Sequence, residues 1–115
     1  MAISEAYANS ASIGTTEYSL TNNSTTIAAQ TDDGVYQAFL DLSALTITEL
    51  YELRVYEKCR SSSTQRVAGR WFLAGPLTDP VFVIESMIFL HGWDVTLKKI
   101  SGTDRTIEWS IRKVA

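Results

Sequence analysis

The sequence has one cysteine, Cys59, one histidine, His91, and no lysine or arginine before Arg54. A lone cysteine excludes an internal disulfide framework and a cysteine-built zinc site. A lone histidine, with no G-x-S-x-G or H-E-x-x-H pattern, leaves nucleophilic and metalloprotease chemistry without a signature. Long apolar runs are missing too. The longest, "VFVIESMIFL" at residues 81–90, is too short to cross a bilayer and carries Glu85. The opening "MAISEAYANSASIG" has neither the basic nor the apolar region of a secretion signal, so synthesis and folding in the cytosol are expected. There is no internal repeat and no sustained apolar stripe of helical period.

The 115 residues are 45% hydrophobic and 20% charged, which suits one globular domain. A net charge of −3 argues against a general nucleic-acid binder. The charge is unevenly placed. Residues 1–53 carry −7 and residues 54–115 carry +4. Interleaved strands are expected to mix these charges on the folded surface. The sharper alternative is one acidic and one basic surface, suited to packing identical copies.

Residues 1–14 are rich in Ala, Ser and Asn and show no clear period, so they read as an N-terminal arm. Over 15–115, short β-prone runs alternate with turn signals such as "NNS", "TDDG", "GPLTDP" and "SGTD". About eight antiparallel strands at this spacing predict an all-β fold, a single-domain sandwich of jelly-roll type.

The C-terminal stretch alternates most cleanly. Trp93, Val95 and Leu97 fall on one side of a strand, as do Ile107, Trp109 and Ile111. Both sets are expected in the core. Asp94, Thr96, Lys98, Glu108, Ser110 and Arg112 are expected on the wet side. The turn around Gly102 suggests that the two strands form a hairpin.

Other polar features have ordinary readings. Asp32 and Asp33 before Gly34 make a tight turn rather than a calcium site. The "NNST" sequons at Asn22 and Asn23 are a polar turn. His91 is a turn histidine. Cys59 is expected to act as a small, at least half-buried hydrophobe. Trp71 has no evident stacking partner for a sugar platform. No enzyme activity, catalytic residue, cofactor or metal is expected.

The run from Val81 to Leu90 is unusual because it is apolar at almost every position. Strict alternation puts Phe82, Ile84, Ile88 and Leu90 on one side, and Val81, Val83, Met87 and Phe89 on the other. A strand apolar on both faces is covered on both faces. Val81, Phe82, Val83, Ile84, Met87 and Phe89 are therefore expected at or beside an intersubunit contact.

Three stretches, "DGVYQAFLDLSAL", "ELRVYEKCRSSSTQRV" and "LHGWDVTLKKISGTDRTIEWSIRKVA", resemble small virion structural proteins of tailed bacteriophages. The nearest functional type is the capsid decoration, or cement, protein. The resemblance implies a non-enzymatic homo-oligomer, trimer or dimer, bound to the major capsid protein on the capsid surface. It implies no nucleic-acid or membrane partner. The alternatives are a tail or baseplate component and, outside the virion class, a carbohydrate-binding β-sandwich module.

Overall fold

A computed structural model describes residues 2–114. Eight strands are formed: β1 (Ile3–Ile13), β2 (Tyr18–Ser19), β3 (Gly34–Asp41), β4 (Leu50–Glu57), β5 (Arg66–Ala74), β6 (Val81–Phe89), β7 (Asp94–Ser101) and β8 (Arg105–Val114). They make two four-stranded antiparallel sheets, ordered β1-β8-β3-β6 and β2-β7-β4-β5. These are the interleaved sheets of a jelly roll. Only β4 and β5 are consecutive strands paired in one sheet. Every other connection except that one crosses from sheet to sheet.

This topology corrects two expectations. β7 and β8 do not form a hairpin. The turn at Gly102 carries the chain from one sheet to the other, so the two dry faces meet across the core instead of side by side. Their core residues are as expected: Trp93, Val95, Leu97, Ile107, Trp109 and Ile111 are all buried. Residues 1–14 are not a loose arm. Within them β1 pairs with β8 from Ile3 to Ile13, and Met1 lies outside the described residues. Main-chain pairing holds this polar segment, and only Ala6, Tyr7, Ala11 and Ile13 reach the core.

The core lies between the sheets. Phe89 stacks on Trp93 with ring centroids 4.3 Å apart, and Tyr36 closes the cluster at 4.6 Å from Trp93. The irregular segment 20–33 is fastened to it by polar groups. The Trp109 indole N–H donates to the Leu20 carbonyl at 2.9 Å, and the Trp93 indole N–H to the Asp32 carbonyl at 3.0 Å. Asp94 is buried, not exposed as alternation suggested, and so is Thr96. The Asp94 carboxylate accepts from the Thr21 hydroxyl at 2.7 Å and the Ala28 N–H at 2.9 Å. Burial pushes its carboxyl up despite these bonds.

At the opposite end, Glu49 ties two turns together. Its side chain accepts from Thr46 N–H at 2.7 Å, from the Thr48 hydroxyl, and from Thr103 N–H at 3.2 Å, and it pairs with Arg105. The Thr48 hydroxyl foremost, then the Thr46 N–H, hold this carboxyl well below its usual range against the effect of burial. Gly102 sits beside it with φ +93°, and a side chain there would meet the Thr48 carbonyl at 2.5 Å. Glycine meets both constraints.

Candidate interaction surface

β6 is an edge strand of the first sheet, and its apolar residues do not alternate strictly. Tyr36 faces Met87 and Ala38 faces Ile84, so Glu85 and Ser86 both lie opposite Gln37. This is a β-bulge, with Ser86 at φ +26°. The extra residue reverses the alternation halfway along. Phe82, Ile84, Met87 and Phe89 therefore all turn toward the core, and Val81, Val83, Ile88 and Leu90 all turn outward. The sides expected from strict alternation are corrected accordingly: Ile88 and Leu90 change places with Met87 and Phe89. Val81 and Val83 are exposed, Phe82 is half-buried, and Ile84, Met87 and Phe89 are buried within the chain.

The outward side chains extend a larger apolar surface. Across the four strands, Ile3 faces Val114, Val114 faces Val35, and Val35 faces Ile88. Ile88 is 81% exposed and Ile3 68%. Nearer the middle of the sheet, Phe39 lies between Ser110 and Val83. The Arg112 guanidinium rests on the Phe39 ring, 3.9 Å from its centroid. Two shallow depressions flank Phe39. One, of about 240 Å³, is lined by Ile3, Gln37, Phe39, Arg112 and Val114. The other, of about 250 Å³, is lined by Glu5, Phe39, Asp41, Glu108, Trp109 and Ser110. Exposed apolar side chains lying side by side in this way are surface that a partner could bury.

The outer face of the second sheet is different. Glu52 is buried beneath Arg54, Arg70 and Lys98, which approach it to 3.0, 2.7 and 3.8 Å. The Arg54 hydrogen bond, above all, keeps the Glu52 carboxyl below its usual range. Glu17 accepts from Arg54 at 3.2 Å and from the Tyr56 hydroxyl at 2.6 Å. Phe72, 61% exposed, stands opposite Glu52, and Val67 on β5 and Ile100 on β7 are exposed as well.

The remaining polar features sit apart from one another. Asp32 pairs with Lys113 at 2.7 Å across the turn before Gly34, and no acidic or His/Cys group suited to a metal occurs among the described residues. His91 is half-buried in a turn, where its backbone N–H donates to the Glu57 carboxylate at 3.3 Å. Cys59 is exposed, because β4 ends at Glu57 before the strand phase reaches it. It lines a depression of about 550 Å³ together with Glu57, Ser62, Ser63, Thr64 and Arg66, and no histidine lines it. Trp71 is packed against the core, where its ring meets Phe82 edge-on at 6.5 Å.

Neither a protein-family model nor a curated protein matches this sequence.

Proposed function

We propose that the chain is a non-enzymatic structural protein of a tailed-phage virion, of the capsid decoration type, and that it acts by burying the outer face of the β1-β8-β3-β6 sheet against the particle. The apolar row Ile3, Val114, Val35 and Ile88, continued by Phe39 and Val83, carries this reading. Leaving such a surface in water costs roughly 25 cal/mol per Å². The resemblance of "LHGWDVTLKKISGTDRTIEWSIRKVA" to small virion proteins supports the setting. The jelly-roll architecture recurs in viral shells and also in lectins, so the face decides more than the fold. Many weak copies on one shell add up to firm attachment through multivalency. The major capsid protein is the expected partner.

Quantitative mass spectrometry of purified particles of the phage that carries the gene tests the reading. A copy number comparable to that of the major capsid protein supports decoration. A few copies per particle indicate a tail or baseplate part, and absence from the particle overturns the virion assignment.

A further inference from the structure

The side of the sandwich bounded by β5 and β6 is not fully closed. These are edge strands of opposite sheets. They meet where Trp71 touches Phe82, and beside that contact a cleft of about 300 Å³ opens between them. Its floor is the core itself. Val55, Ile84, Met87 and Phe89 line it and keep 4–8% exposure, whereas most of the core is at 0 or 1%. Both strands are bulged at the cleft. On β5, Val55 faces Gly69 and Tyr56 faces Val67, which leaves Ala68 as the extra residue. On β6 the extra residue falls at Glu85 and Ser86. Ser86 holds φ +26°, a strained conformation for a residue with a side chain and of the kind that collects at binding sites.

The bulges exclude one class of occupant. A strand added to either edge would lose its hydrogen-bond ladder at this level, so the occupant is compact. The apolar side chains of the floor hold water poorly, and displacing poorly held water with an apolar group gains affinity. For scale, an apolar cavity of about 150 Å³ takes benzene, so this cleft has room for one or two fused rings. Its lining favours an aromatic ring over an aliphatic chain, because Met87 brings a thioether and Phe89 and Trp71 bring rings. Gly69 leaves room for the Trp71 wall, since a Cβ there would meet its ring at 3.1 Å. The polar part of the rim is Glu85 and Ser86. Glu85 is exposed and has no ion-pair partner among the described residues.

We infer that this cleft binds a small aromatic molecule of one or two fused rings that carries a cationic group. The rings lie on Met87 between the two edge strands, and the cation is turned to Glu85. The opening onto the core supplies most of the affinity, and the carboxylate supplies orientation and a preference for positive charge. The inference goes beyond the docking role proposed above and does not depend on it.

The test uses the purified full-length chain with methyl-labelled methionine. The sequence has two methionines, and the Met87 signal is assigned by its loss in Met87→Leu. Tryptamine, indole and indole-3-acetate are titrated and followed by NMR. The expected result is a saturable shift of the Met87 methyl signal, with tryptamine binding at about 1 mM or tighter. Indole should bind about threefold more weakly, the scale of an exposed ion pair, and indole-3-acetate more weakly still. Glu85→Gln, at an exposed position, should leave indole binding unchanged and bring tryptamine down to the level of indole. No saturable Met87 shift with any of the three probes would overturn the site. Equal binding of all three, unchanged in Glu85→Gln, would overturn the ligand class. A Met87 signal that moves on dilution of the chain alone would make the occupant a second copy and overturn the inference.

Discussion

Trp109 and Arg112 lie three residues apart on β8 and face opposite ways. Trp109 is almost wholly buried and its indole N–H is bonded to the Leu20 carbonyl, whereas Arg112 is exposed over Phe39. Trp109→Ala should lower unfolding free energy by roughly 3–5 kcal/mol, and Arg112→Ala by about 0.5 kcal/mol. Urea titrations of both variants measure the difference, and equal losses would contradict the placement of the two faces. Glu49 gives a second prediction at this scale. Its carboxyl sits below its ordinary value of 4.5 in the folded chain. A depressed folded value makes its contribution to stability present above that ordinary value and lost as pH falls through the folded one. Glu49→Gln should therefore be less stable than the wild type near neutral pH, and the gap should narrow in acid. Asp94 has the opposite sign. Its carboxyl is raised by burial, so its contribution is largest in acid and declines as pH rises through the folded value. Comparing wild type with Glu49→Gln across pH isolates the first trend from the second. A gap that stays constant or widens toward low pH would contradict the role of Glu49.

The bulge in β6 is testable at the scale of the element. With it, Ile84 and Met87 point inward while Val83 and Ile88 point outward. Strict alternation would pair Val83 with Met87, and Ile84 with Ile88. Lysine at 84 or 87 should cost about 3 kcal/mol or unfold the domain, and lysine at 83 or 88 about 1 kcal/mol or less. Thermal melts of the four single variants distinguish the patterns, and matched losses for Val83→Lys and Met87→Lys would rule the bulge out. β6 also shows how far the sequence could be read. Its double apolar character was plain in "VFVIESMIFL", and the alternating core positions of β7 and β8 were plain too. The reversal at Glu85 and Ser86 was not, because a bulge is set by pairing with Gln37 and leaves no local composition signal. β1 was missed for a related reason. An edge strand held by its main-chain ladder to β8 needs few apolar side chains, and "ISEAYANSASI" has few. The Gly102 turn looked like a hairpin because local residues encode a reversal, whereas the choice of sheet is made by the whole core. Asp94 looked wet because its partners, Thr21 and Ala28, are more than sixty residues away.

For the whole molecule, the acidic first half and the basic second half do not form separate faces. Glu17, Asp32, Glu49 and Glu52 pair with basic residues from beyond position 53 inside one chain. What distinguishes the two sides is the kind of surface each sheet presents. One outer face is laced by ion pairs around a buried Glu52. The other is apolar at one end, with Asp41 opposite Glu108 at the other. A docking face is thus expected on the first sheet, away from Phe72 on the second. Hydroxyl-radical footprinting of the chain, free and bound to particles, tests this most directly, since both faces carry reactive side chains exposed in the free protein. Burial of the first face predicts that Ile88, Val35 and Phe39 lose reactivity on binding while Phe72 keeps it. Protection of Phe72 with Ile88 unchanged would contradict the account.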